Sequence, residues 1–166
     1  MTSDPVEPGN VDPDIDPGHP PHFTGDGRSD AWRSVLAVAA GGAIGALARL
    51  GVNAAVPNRG LGFVWATFAE NVTGCLLIGA LMVVATELWP AGTYPHGHLV
   101  RPFLGTGVLG GFTTFSAYTC DARALLAGGR AGTAMLYLAA TLTAGLAAVV
   151  VGMITARYAL SSAHPR

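Results

Sequence analysis

Thr67, Asn71 and Gly74 stand at i, i+4 and i+7, one stripe of a helix, inside a strongly apolar stretch. A hydroxyl and an amide on a shared stripe offer O–H and N–H donors without a full charge. That suits a site which grips a small, strongly hydrated anion and then releases it; the same donors would also serve as plain glue between helices. A second string runs from Gly105 to Tyr118, GTGVLGGFTTFSAY. Glycines followed by two β-branched threonines make a poor helix in an apolar setting, and the carbonyls they expose could not be satisfied by lipid. A break there is tolerable where it lines a cavity or coordinates something, and freed carbonyls are hard oxygen ligands suited to a cation such as Na⁺. Phe115 and Tyr118, at i and i+3, put two electropositive ring edges on one face, where they could attract an anion weakly or simply pack in a core.

Three charged positions lie among these residues. Arg49 either snorkels to an interface or pairs with an acid or anion. Glu70 and Asp121 are the acids nearest the two strings. Gly41 and Gly45, four apart and flanked by alanines, form a smooth face that another helix can approach closely.

The elements that carry these residues are four apolar blocks near 34–56, 62–88, 101–126 and 132–157, each long enough for the ~20 residues that cross ~30 Å of hydrocarbon. Hydrophobic residues make up 51% of the 166 and charged residues 11%, at a mean hydropathy of +0.45. The expected fold is therefore an all-α integral membrane protein of four transmembrane helices, the third broken near its middle. The fourth block, with threonines as its main polar residues, braces the others. Links of about five residues around 57–61 and 127–131, and a longer one over 89–100, leave no room for an extramembrane catalytic domain. No His lies in a span, and His96 and His98 sit in a link without further metal ligands, so an enzyme is not expected. Cys75 and Cys120 fall in apolar stretches and read as filler rather than a disulfide.

Residues 1–30 are different in kind, with seven acids, one Arg and six prolines and almost nothing to bury. Ordering them would cost backbone entropy that no core repays, so a disordered tail is expected ahead of a four-helix transmembrane domain over 31–160 and a short tail at 161–166. Asp12, Asp14 and Asp16 imitate the start of a calcium loop, but Pro17 stands where that loop needs Gly and Phe23 where it needs Glu. The net charge of −1 offers no basic footprint for nucleic acid. With four spans both termini share a side; Arg28, Arg33, Arg101, Arg157 and Arg166 then face Arg59, Arg123 and Arg130. So small a bias is compatible with insertion in both orientations.

Taken together, GGAIGALAR (41–49), TFAENVTGCLLIG (67–79) and GVLGGFTTFSAYTCD (107–121) resemble the Fluc/CrcB family of fluoride channels, a likeness covering most of 34–157. The resemblance implies a dual-topology, antiparallel homodimer in the cell membrane that exports cytoplasmic fluoride passively, rejecting larger anions by width. It implies that Thr67 and Asn71 line the fluoride pathway, that Phe115 and Tyr118 are the anion-contacting aromatic pair, and that Ser116 and Thr119 line the polar part of the route. It further implies that the carbonyls of Gly110 and Thr113 from both subunits hold a central structural Na⁺. Three positions depart from the family pattern. Tyr118 replaces Phe, Asp121 replaces Glu, and Glu70 stands where a small apolar residue is usual. An ionised Glu70 beside the pathway would repel fluoride, so it is expected to face away, protonated or paired with Arg49.

Two other functions compete. Small multidrug transporters also use four spans and dual topology, but they resemble a Glu in the first span, where this chain has Arg49 and no acid. A subunit active only with a related partner chain is the other alternative.

Overall fold

The computed structural model describes residues 25–56, 62–88 and 97–163. The stretch before 25 with its acidic and calcium-loop-like residues, the links 57–61 and 89–96 with Arg59 and His96, and Arg166 in the C-terminal tail lie outside the described residues. The chain divides into two compact units, Met1–Trp32 and Arg33–Arg166.

All regular structure among the described residues is helical: α1 Gly25–Ala55, α2 Trp65–Leu88, α3 Gly97–Arg101, a π-helical run Pro102–Leu109, α4 Gly110–Phe112, α5 Phe115–Ala127 and α6 Ala131–Ala163. Within them Ala31–Ala55, Trp65–Glu87 and Ala131–Ser162 are helices long and apolar enough to cross a membrane. These three correspond to the first, second and fourth expected blocks, while the third, expected over 101–126 and broken near its middle, is divided into short helical pieces that are not among the helices long enough to cross. A difference lies at the start of α1. It begins at Gly25, so the last six residues expected to be disordered are helical.

The broken segment owes its shape to two local causes. Pro102 opens the π-helical run, where its missing N–H costs nothing, and the wider turn ends as the Gly110 N–H reaches the carbonyls of Gly105 and Gly107. The break proper is at the threonines. Thr113 (φ −77°, ψ 158°) and Thr114 (φ −151°, ψ 122°) are extended, the conformation that β-branched side chains favour. Glycine has a different part. The Cβ of an alanine at Gly41 would collide with the carbonyl of Phe103, at Gly45 with that of Val108 and at Gly111 with that of Gly42, so α1 and the broken segment touch backbone to backbone. α2 and α6 meet in the same manner, through Gly79 against Val149 and Gly152 against Leu76.

Below the break a core forms from Val64, Ala122, Leu125, Ala134 and Tyr137, with Phe63, Phe68, Tyr118 and Leu138 packed on it. The Phe63 ring meets Tyr137 edge-on at 5.3 Å. α5 ends in a turn in which Gly129 takes φ 73° and the Arg130 N–H caps the Leu125 carbonyl at 2.9 Å, a conformation glycine adopts without strain. Outward, Leu36, Leu47, Leu50, Leu136, Leu146 and Ile154 are exposed, an apolar surface suited to lipid.

Candidate functional site

Breaking a helix frees backbone groups, and the site is built on how they are satisfied. The Thr114 N–H donates to Asn71 Oδ1 at 2.8 Å, and Asn71 Nδ2 donates to the Thr114 carbonyl at 3.1 Å. One side-chain amide on α2 thus replaces a helical peptide neighbour for both polar groups of the extended residue. The Thr114 hydroxyl then caps α5, accepting from the Ala117 N–H at 3.0 Å and lying 3.2 Å from Ser116 Oγ. These two redirected N–H groups have a consequence upstream. In a continuous helix Thr114 N–H would close on the Gly110 carbonyl and Ala117 N–H on that of Thr113. Here both turn to side chains, and the Gly110 and Thr113 carbonyls are released from those partners. Gly74 lets α2 come close enough, since an added Cβ there would strike the Thr113 methyl group.

Beside the break, α2, α5 and α6 enclose a cleft of about 320 Å³, lined among others by Asn71, Thr113, Thr114, Phe115, Tyr118 and Thr141. No carboxylate, His, Lys or Arg is among the residues lining it. The Phe115 and Tyr118 rings lie on one face, centroids 5.8 Å apart and tilted by 47°. Phe115 is 78% exposed, which leaves its edge open to whatever occupies the cleft or packs against it. The Tyr118 hydroxyl is directed away, donating to the Leu138 carbonyl of α6 at 2.8 Å, while its ring also contacts Tyr137 at 5.4 Å. The extra oxygen at this position is thereby spent on α6. The lining is mostly apolar, and the Thr113, Tyr118 and Thr141 hydroxyls are donated to the carbonyls of Leu109, Leu138 and Tyr137, which leaves the second Asn71 N–H and the ring edges as its uncharged partners for an anion.

The other residues singled out in the sequence fall into three groups. Ser116 and Thr119 are exposed on α5; Thr119 Oγ1 donates within its own helix to the carbonyls of Phe115 (3.1 Å) and Ser116 (3.0 Å). Thr67 is 4% exposed, and its hydroxyl donates to Asp121 Oδ2 at 2.8 Å, so it lies one turn from Asn71 but is engaged with α5. Asp121 Oδ2 also accepts from Tyr137 OH at 3.1 Å, which makes this carboxylate the joint between α2, α5 and α6. Glu70 corrects the pairing expected from the sequence. Its hydrogen bond is with Asn53 rather than Arg49: Asn53 Nδ2 donates to Glu70 Oε1 at 2.6 Å and to the Arg49 carbonyl at 3.1 Å. The amide is short enough to reach a carboxyl held between α1 and α2, whereas Arg49 acts on it only through space. Asn53 and Tyr137 are the partners that sequence reasoning missed. Asn53 stands out as a polar residue one turn after Arg49, but a tyrosine in an apolar helix ordinarily reads as an interface anchor, and nothing marks Tyr137 as a partner of Asp121.

A family profile described as "CrcB-like protein, Camphor Resistance (CrcB)" matches residues 36–153. The chain belongs to the CrcB-like family. Among its relatives is "Fluoride-specific ion channel FluC 1" of Streptomyces coelicolor, 50% identical over 133 residues, which are 78% of this chain and 83% of that protein. "Fluoride-specific ion channel FluC 2" of Streptomyces avermitilis is 51% identical over 119 residues, 69% of this chain and 72% of the relative. A more distant relative, "Fluoride-specific ion channel FluC" of Thermus thermophilus, is 44% identical over 112 residues, 67% and 85% of the two chains. The region shared with the CrcB-like family takes in the break, the Asn71 bridge and the Asp121 joint, and its start at residue 36 leaves the acidic stretch outside.

Proposed function

We propose that this CrcB-like chain is a passive, fluoride-selective ion channel of the cell membrane, exporting cytoplasmic fluoride, and not an enzyme. The observation that carries the reading is the Asn71 bridge to Thr114. It fixes a helix break beside an uncharged cleft, with Phe115 and Tyr118 aligned on its wall. The names of the relatives, all fluoride-specific ion channels, supply the identity of the ion. Fluoride sheds its water in steps against the remaining Asn71 N–H, Ser116 and the ring edges of Phe115 and Tyr118, and a larger anion is excluded by width.

In this reading the broken segment 97–127 is the fourth crossing, its discontinuity sheltered by protein as a membrane requires. Two copies assemble antiparallel, and the open face of Phe115 meets the partner copy. The released carbonyls of Gly110 and Thr113 fit a hard monovalent cation; with their counterparts from the second copy they would hold a structural Na⁺ that fixes the two breaks together. Thr67 contributes through the carboxylate joint rather than through an open hydroxyl.

The test is ion efflux from liposomes holding only this purified chain, with Na⁺ present, read by fluoride and chloride electrodes. Fluoride release without chloride release is expected. No release from folded, reconstituted protein would overturn the self-sufficient channel and favour a subunit that works with a related chain.

A further inference from the structure

We infer that Glu70 is a proton-binding site that sets the fluoride conductance, permissive when protonated and inhibitory when ionised. The inference rests on the fluoride-channel reading.

Glu70 has no exposed surface, and only one of its two oxygens is served. Oε1 accepts from Asn53 at 2.6 Å, while Oε2 is buried without a hydrogen-bond partner. An anion in that position carries charge on an oxygen that no donor meets, an arrangement far more costly than a neutral carboxyl. The surroundings divide the two acids of the region by role. Asp121 has Thr67 and Tyr137 donating to it; Glu70 has one amide and an orphan oxygen. The charged side chains acting on Glu70 are Arg49 of α1 and Asp121 of α5, one of each sign, and Arg49 makes no ion pair with it among the described residues. Thr67 and Asn71 flank it on α2, and Tyr137 of α6 reaches the region through Asp121. Glu70 is next in the chain to Asn71, whose amide pins the break. A negative charge arising there, in a low-dielectric interior, repels an anion in the adjacent cleft and opposes its passage.

The experiment is fluoride efflux from liposomes with equal pH inside and out, across a series from acidic to mildly alkaline, with protein-free vesicles subtracting the leak of neutral HF. Wild-type flux is expected to fall severalfold as pH rises. Glu70→Gln, which keeps the acceptor for Asn53, is expected to hold the acid-side flux at every pH. Infrared difference spectra of the folded protein should show a protonated carboxyl band that titrates in the wild type and is missing from Glu70→Gln. Flux insensitive to pH in the wild type, the same pH profile in Glu70→Gln, or no such carboxyl band would overturn the inference while leaving the channel intact. Absence of fluoride release at any pH would instead overturn the channel reading and this inference with it.

Discussion

At the scale of the residue, Asn71 does two jobs that a peptide group does in a regular helix, and its removal is expected to show in stability as well as flux. Asn71→Ala leaves the Thr114 N–H and carbonyl unpaired in an apolar setting, at about 1–3 kcal/mol for each buried group. A clear fall in the melting temperature of the detergent-solubilised protein, together with loss of fluoride efflux, is the expected outcome. Tyr118→Phe makes the opposite case. The hydroxyl serves the Leu138 carbonyl and not the cleft, so its deletion should cost about 0.5–1.5 kcal/mol of stability and leave fluoride efflux near wild type. A large loss of flux in Tyr118→Phe would put the hydroxyl back in the pathway. The Asn71 stripe is legible in the sequence as a set of donors; which acceptors they meet is not, because Thr114 lies 43 positions further along the chain.

At the scale of the element, the broken third segment shows how a composition signal can be right in outcome and only half right in cause. Glycine and threonine together forecast a break, yet the chain turns extended only at Thr113 and Thr114. The glycines before them remain helical and serve close packing against α1. Gly45→Ala and Gly42→Ala therefore form an informative pair. A Cβ at Gly45 would collide with the Val108 carbonyl of the broken segment, whereas one at Gly42 meets nothing within 4 Å. Gly45→Ala is expected to destabilise by about 1–3 kcal/mol through overpacking, and Gly42→Ala to stay within about 0.5 kcal/mol of wild type, both read by thermal unfolding in detergent. Equal melting of the two variants would contradict the backbone contact between α1 and the broken segment. The π-helical run from Pro102 to Leu109 had no signal beyond the proline, since a proline opens α- and π-helical turns alike.

At the scale of the whole molecule, the exposed ring of Phe115 and the apolar exterior are surfaces for lipid and, in the proposed assembly, for a second copy at the break. Phe115→Ile retains an apolar surface of similar reach but no ring edge. It is expected to abolish fluoride efflux while leaving the elution position of the assembled protein unchanged; wild-type flux would remove the aromatic pair from the mechanism. Dual topology has its own measurement. A cysteine placed in the turn after α5 by Gly128→Cys, with Cys75 and Cys120 replaced, is expected to react with an impermeant thiol reagent from both sides of the membrane. Reaction from one side alone would mean a single orientation and a parallel assembly or a different partner.

The sequence by itself determined the solvent, the helical class, the position of the break and the family, because each follows from local composition or from strings short enough to be read along the chain. An apolar block must be helical in lipid, and threonines favour extended backbone wherever they occur. Only the tertiary structure decided who satisfies whom: that Asn71 bridges Thr114, that Thr67 and Tyr137 converge on Asp121, and that Glu70 takes Asn53 and leaves one oxygen alone. These are contacts between residues 16 to 54 positions apart, set by the backbone approach that glycines on neighbouring helices allow. A hydrogen-bond partner at that separation is chosen by packing, and packing is a property of all the helices at once.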